Sequence, residues 1–473
     1  MSGSAPAPGG LGHGLKPRHV TMISIAGVIG AGLFIGSAKA IAEAGPAVLI
    51  SYALAGGLVV LVMRMLGEMA TAHPDTGSFS TYADRALGRW AGFSVGWLYW
   101  WFWVLVIPVE ATAGALILSD FVGGPQWVWA LVITGLLTVT NLFSVGNYGE
   151  FEFWFALVKV IAIVAFIGIG LLAMFGVFPG SQTSGISGLW DAGGFLPHGF
   201  GAVLAAMLTT MFTFMGTEIV TIAAAESADP EKGISRAVNS VIWRISLFYL
   251  GSIFVVVALT RWSDPALVNE GSYQHVLSLI GVPGAKIAVD LVVLTAVSSC
   301  LNSALYTASR MAFSLSRRGD APRSWSTVSS RGVPRNAILA STAVGFLAVL
   351  GNYVLPESLF GYLLATTGAI ALFVYLVIAC SQLVMRRRMD AEGQRAPVRM
   401  WAFPTLTWVA IAFIVAVLVL MLVRPGHRIE LLLSTVLAAV IVAAGFAMQR
   451  RHALPDAEPV AAEAAVGSDR TAP

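Results

Sequence analysis

"IAGVIGAGLFIGS", residues 25–37, sets four glycines (Gly27, Gly30, Gly32 and Gly36) within ten positions of an otherwise apolar run. Glycine costs about 1 kcal/mol relative to alanine in a helix interior. Two physical reasons would gather such weak helix formers at the centre of a segment. Small residues let two helix backbones approach closely in lipid. Alternatively the helix is interrupted there, which a membrane tolerates only where the unwound backbone is buried in protein or lines a cavity. An interruption frees N–H groups at the start of the outer half-helix. Those groups, at the positive end of the helix dipole, suit a carboxylate.

The surrounding chain decides that a membrane is the setting. Of 473 residues, 57% are hydrophobic and only 11% charged, against roughly 25% charged in soluble domains. The mean hydropathy is +0.80. A spanning helix needs about 20 mostly apolar residues, and twelve such runs can be marked: 20–43, 46–70, 91–119, 126–145, 153–178, 200–225, 237–260, 281–315, 336–354, 358–385, 402–423 and 428–449. The expected class is therefore an all-α integral membrane protein. Residues 1–19 form a polar N-terminal segment with no cleavable signal pattern. Residues 20–450 form the membrane domain, and 451–473 an Ala/Pro/acidic tail expected to be disordered.

Charge placement orients the chain. The even junctions carry "DRALGR", "DPEKGISR", "SRRGDAPRSWSTVSSRGVPR" and "MRRRMDAEGQRAPVR", whereas the opposite loops hold Arg261, Lys286, Arg424 and Arg428. The positive-inside rule then puts both termini in the cytoplasm. The two cysteines, Cys300 and Cys380, lie in apolar runs, and the seven histidines fall in loops or at span ends. No zinc spacing, disulfide framework or intramembrane haem ligation follows from them, so neither metal nor cofactor is expected. Nothing points to nucleic acid or to an obligatory protein partner; lipid and a small molecule are the expected contacts.

The sixth run, "AAMLTTMFTFMGTEIVTIAAAES", repeats the interruption. Its centre holds a glycine, two threonines and a glutamate at mid-depth. The first and sixth runs are equivalent positions in two five-helix halves, 20–178 and 200–385, with two further spans at 402–449. Paired glycine-interrupted segments at matching positions point to a transporter's binding site.

With these residues in view the chain resembles a known family. "RHVTMISIAGVIGAGLFIGS", "EAGPAVLISY", "PDTGSFSTYADRALGRWAGFSVGWLYWWFWV", "NYGEFEFW" and "LNSALYTASRMAFSLSRRGDAP" are similar to the bacterial proton-coupled amino acid permeases of the amino acid–polyamine–organocation superfamily. The likeness runs from about residue 15 to 450. It implies the leucine-transporter-type 5+5 inverted repeat with spans 1 and 6 broken. "GWLYWWFWVLVIPVEA", "GISGLWDAGGFLPHGFGAVLAAM" and "EIVTIAAAES" imply 4-aminobutyrate (GABA) as the substrate. An α-amino acid permease and an amino acid exchanger are the alternatives. The expected function is symport with a proton, without enzymatic chemistry.

The candidate residues follow. Val28, Gly30, Ala31 and Gly32 are expected to present backbone to the substrate carboxylate. Ala31 stands where the family often has a hydroxyl residue. Phe212, Thr213, Phe214 and Met215 match the family's second break, whose carbonyls suit an ammonium; Phe214 would close over the site or else pack against a neighbouring helix. Glu110 follows Pro108 in the third run; it is either a structural partner for a hydroxyl or the acceptor of an ω-ammonium. Glu218 either carries the proton or caps freed N–H groups. Lys159 either snorkels to the cytoplasmic face or, as the resemblance implies, occupies the place of the coupling cation in sodium-driven relatives. It would then hold carbonyls near Val28 and Ile29, with Ser298, Ser299 and Asn302 as polar neighbours. "WLYWWFW", 97–103, reads as packing and interfacial anchoring, Arg64 and Glu68 as an i,i+4 pair, and Gly77 as a hinge in the first cytoplasmic loop, with a plain capped helix start over Asp75–Ser80 as the alternative.

Overall fold

The computed structural model describes residues 18, 19, 22, 29–73, 75, 78–143, 145–221, 230–330, 332–354, 359–423 and 425–452. Val28, Gly77 and the tail from residue 453 lie outside them. All regular structure among the described residues is helical. Lipid offers no partner to backbone N–H and C=O groups, so an apolar run satisfies them within its own helix.

A π-helical turn, Gly32–Gly36, leads into α1 (Ser37–Ala44), followed by α2 (Val48–Ala72), α3 (Ser78–Leu87), α4 (Arg89–Val122), α5 (Gln126–Asn141), α6 (Val145–Met174) and α7 (Gly199–Phe214). Next come α8 (Pro230–Arg244), a second π-helical turn (Ile245–Gly251), α9 (Ser252–Leu259), α10 (Pro265–Glu270), α11 (Ser272–Ile280), α12 (Ala285–Arg317), α13 (Arg335–Val354), α14 (Leu359–Ala391), α15 (Thr405–Val423) and α16 (Pro425–His452).

Nine helical stretches among the described residues are long and apolar enough to cross a membrane. They do not map one to one onto the twelve apolar runs. Gly32–Ala72 is one helical stretch that takes up two of them. It turns a corner at Gly45, whose φ of 66° and ψ of −154° suit glycine, and where a Cβ would come within 2.5 Å of Pro197. The helix of the fourth run, α5, has only 16 residues. The ninth run gives a shorter apolar helix, Arg335–Gly351.

Helix α4 is the centre of the bundle, packed against α3, α5, α12, α13, α14 and α16. Its spanning part is mostly buried, whereas α15 and α16 are mostly exposed. The outer surface carries bare apolar side chains such as Trp154, Leu347 and Val436. In water such a surface would be an aggregation hazard; in a bilayer it faces its solvent. Pro108 lies inside α4, where it deletes one helical hydrogen bond, one half-turn before Glu110.

The Arg64–Glu68 pairing expected from i,i+4 spacing is not the one made. Arg64 Nε donates to the Arg399 carbonyl at 2.8 Å and the guanidinium lies over the Trp401 ring. Glu68, fully buried in α2, accepts from Arg386 and from Gln382 of α14 and from the Met400 amide. Each member reaches across helices because the C-terminal part of α2 is wrapped by α14 and the segment that follows it. A second cluster at a helix end places Asp320 between Arg89 and Arg318. Burial pushes its carboxyl above the usual range, while both guanidinium groups pull it back.

Candidate functional site

Ile29 and Gly30 are non-helical, and the helix that becomes α1 starts at Ala31. The helix start leaves amides without intrahelical partners. The Ala31 N–H donates to the Glu110 carboxylate, at 3.0 Å to Oε2 and 3.3 Å to Oε1. Both residues are buried. Gly30 is where the approach is closest: a Cβ there would lie 2.6 Å from Glu110 Oε1 and 2.8 Å from Cys300 Cβ. A Cβ on Gly32 would meet Phe212 Cδ1 and Thr213 Cα at 3.0 Å. The two glycine-centred segments therefore touch through Gly32.

The carbonyl side of the first segment is held from another direction. Lys159, fully buried in α6, donates to the Ile29 carbonyl at 3.2 Å and to Ser299 Oγ at 2.7 Å. Ser299 in turn donates to Glu152, whose carboxylate lies 3.9 Å from the Lys159 ammonium. An ammonium buried without such partners would be costly, and this one has a carbonyl, a hydroxyl and a carboxylate. Lys159 does not reach the aqueous face. Asn302 lies one turn further along α12 and accepts from Asn141 Nδ2 at 2.7 Å. Ser298 is only half-buried, and Lys159 takes its neighbour Ser299 instead.

In the second segment α7 ends at Phe214. Met215 is extended (φ −62°, ψ 145°) and Gly216 has a φ of 95°, a region that favours glycine. Both oxygens of Glu218 accept from the Gly216 N–H, at 3.0 and 3.1 Å. The Thr217 hydroxyl donates to the Phe214 carbonyl and accepts from Arg244 Nη2 at 2.7 Å. Glu218 has the geometry of a cap. Tyr99 of α4 lies beside its carboxylate.

Between the segments runs a narrow, nearly closed slot. Gly32, Thr213 and Met215 line it from the two segments, and Phe102, Trp103, Val106 and Glu110 from α4; Phe212 and Cys300 complete the wall. Phe214 is not on that wall. It packs edge-on to Tyr52 and against Tyr249, with ring centroids at 5.9 and 4.7 Å. Part of the aromatic run 97–103, read as packing and interfacial anchoring, is slot wall: Phe102 and Trp103 line it. Among the described residues no group of three His, Cys, Asp or Glu converges as a metal site.

Three residues at the site were not singled out from the sequence. Glu152 sits in the quoted "NYGEFEFW" at i,i+7 to Lys159, two turns away on one helix face; that spacing was the available signal. Cys300 adjoins Ser299. Arg244, at the end of α8, is buried and turned toward Thr217; nothing local in sequence signals that contact.

A family model for amino acid permeases matches residues 19–454. A probable GABA permease of Pseudomonas aeruginosa is 62% identical over 443 residues, covering 93% of each chain. The gamma-aminobutyric acid permease of Escherichia coli K12 is 62% identical over 441 residues, 93% of this chain and 95% of that one. An aromatic amino acid transport protein of Corynebacterium glutamicum is 41% identical over 440 residues, 92% and 95% of the two chains.

Proposed function

The chain belongs to the amino acid permease family, and from that membership we propose that it takes up 4-aminobutyrate and related small zwitterionic amino acids across the bacterial inner membrane, with a proton as the coupling ion. Transport proceeds by alternating access in a twelve-span, 5+5 inverted repeat, with both termini cytoplasmic and spans 1 and 6 broken. The halves are 20–178 and 200–385, with two spans added at 402–449.

The observation that carries the reading is the slot itself. On one side Gly32 follows the helix start at Ala31, whose amide Glu110 holds; on the other lies the extended backbone after Phe214, and the walls between are mostly apolar and close together. A slim, unbranched chain with a carboxylate at one end and an ammonium at the other matches those features. In this reading Gly30, Ala31 and Gly32, with Val28 before them, serve the carboxylate. Phe212, Thr213 and Met215 shape the chain's path, and Glu110 serves the ω-ammonium. Phe214 supports the wall from behind. Substrate identity is favoured by the 62% identity to two GABA permeases over nearly the whole chain.

Coupling is assigned to Lys159. Its ammonium bridges the first segment to α12 and to Glu152, so loss of its proton loosens the Ile29 carbonyl from that network. Ser299 relays between them, with Asn302 beyond. Glu218 holds the second segment's geometry, and no covalent chemistry is required of any residue.

The test is uptake of labelled 4-aminobutyrate into proteoliposomes with an alkaline interior and no sodium, challenged with unlabelled competitors. Block by short ω-amino acids and not by α-amino acids is the expected result. Block by α-amino acids instead would discard the substrate, and a requirement for preloaded amino acid would make the protein an exchanger.

A further inference from the structure

The Ala31 amide that the proposed substrate's carboxylate would use is already taken. Glu110 reaches it from α4, with both carboxylate oxygens within 3.3 Å of the nitrogen. Close approach is built in, because any side chain at Gly30 would collide with those oxygens. Lys159 is the cation that acts on Glu110, but its ammonium is committed to Ile29, Ser299 and Glu152. Glu110 is thus a buried carboxylate whose direct backbone donor, among the described residues, is the amide at a helix start, and it borders the slot.

We propose that Glu110 is a built-in occupant of the substrate's carboxylate seat. A zwitterion enters because it brings both a carboxylate that displaces Glu110 from Ala31 and an ammonium that receives Glu110 once displaced. This rests on the reading of the slot as a zwitterion site and adds how that site chooses. One N–H cannot serve two carboxylates, and two unpaired carboxylates confined together repel. A monocarboxylate such as butyrate would evict Glu110 into a slot whose wall, among the described residues, carries no cation to meet it. An amine such as 1-aminopropane can pair with Glu110 where it stands but leaves the seat occupied. Selectivity for molecules carrying both charges is then a property of Glu110, separate from the shape of the wall that Phe102, Phe212 and Met215 line. Rejection by an unpaired charge is a general route to specificity.

The experiment is equilibrium binding of butyrate, 1-aminopropane and 4-aminobutyrate to the purified full-length protein and to Glu110→Gln. The glutamine keeps the shape and a neutral acceptor for Ala31 but removes the charge that must be rehoused. Butyrate is expected to bind at least tenfold more tightly to Glu110→Gln than to the wild type, while 1-aminopropane loses affinity. Unchanged butyrate affinity would overturn the proposal. If the wild type binds no 4-aminobutyrate, the substrate reading falls, but the butyrate comparison still reads the seat. Should Glu110→Gln fail to fold, a structure of the wild type with 4-aminobutyrate decides. The ligand's carboxylate on the Ala31 amide and Glu110 on its ammonium are expected; Glu110 still on Ala31 beside a bound ligand would contradict the proposal.

Discussion

The two glycine-centred segments solve the same problem in opposite ways. Each leaves backbone groups without helical partners in a medium that supplies none. At 214–218 most of the solution is local: Glu218 caps an amide two residues back, and Thr217 closes on a carbonyl three residues back. At 29–31 the partners are borrowed, Glu110 from 79 residues away and Lys159 from 130. The second segment carries most of its own shape wherever it goes. The first is shaped by where α4, α6 and α12 stand, so any shift of those helices changes its hydrogen bonds. A segment whose satisfaction depends on bundle position is suited to couple binding to movement. Its cost is that polar groups on three separate elements must stay in register.

That contrast is broken most severely at Lys159. Lys159→Ala removes the partner of buried Glu152, a change that typically costs about 3–5 kcal/mol. A large fall in thermal stability and loss of pH-driven accumulation are expected. In the double variant Lys159→Met with Glu152→Met, stability should largely return while accumulation does not. Recovery of both together would place the effect in folding alone.

Gly30→Ala strikes the same segment from the other side. The new Cβ meets Glu110 and Cys300 inside contact distance, and overpacking of this kind costs about 1–3 kcal/mol. Uptake should drop more steeply than stability, because Glu110 is pushed off the Ala31 amide. Parallel loss of both would make the glycine a packing residue only.

Changes in the locally capped segment should matter less. Glu218→Gln keeps an oxygen for the Gly216 amide, and loss of a cap costs about 1 kcal/mol. The melting midpoint should fall by a few degrees with pH-driven accumulation retained; its abolition would show that Glu218 carries the proton. The smallest effect is expected at Ser298→Ala. That side chain is half-buried and stands beside the serine that Lys159 uses, so stability should move by less than about 0.5 kcal/mol. Matched melting and uptake curves for Ser298→Ala and Ser299→Ala would separate the two.

Much of this was legible in the sequence, and the limit has a physical cause. Apolar runs, the skewed basic residues and the two glycine clusters are local features, and each follows from what lipid does to a chain. So does the singling out of Glu110, Lys159 and Glu218, since a charge within a span is conspicuous. Which groups these charges meet depends on helix rotation and register across the bundle, and sequence carries little of either. Glu68 illustrates it: the i,i+4 neighbour Arg64 was in plain view, yet Arg386, 318 residues further along the chain, took its place. Phe212 and Phe214 illustrate it again. Two residues apart on a helix, they point to different sides, and the end of α7 at Phe214 decided which ring reached the slot.

The central claim is that the borrowed partners of the first segment tie substrate movement to proton movement. The most direct measurement follows lumenal pH and labelled 4-aminobutyrate together in sodium-free proteoliposomes of wild type and Lys159→Met/Glu152→Met. The account predicts that the wild type carries protons inward with the substrate and accumulates it against its gradient. The variant should exchange labelled substrate without moving protons. Accumulation by the variant, or wild-type accumulation without proton entry, would contradict the claim.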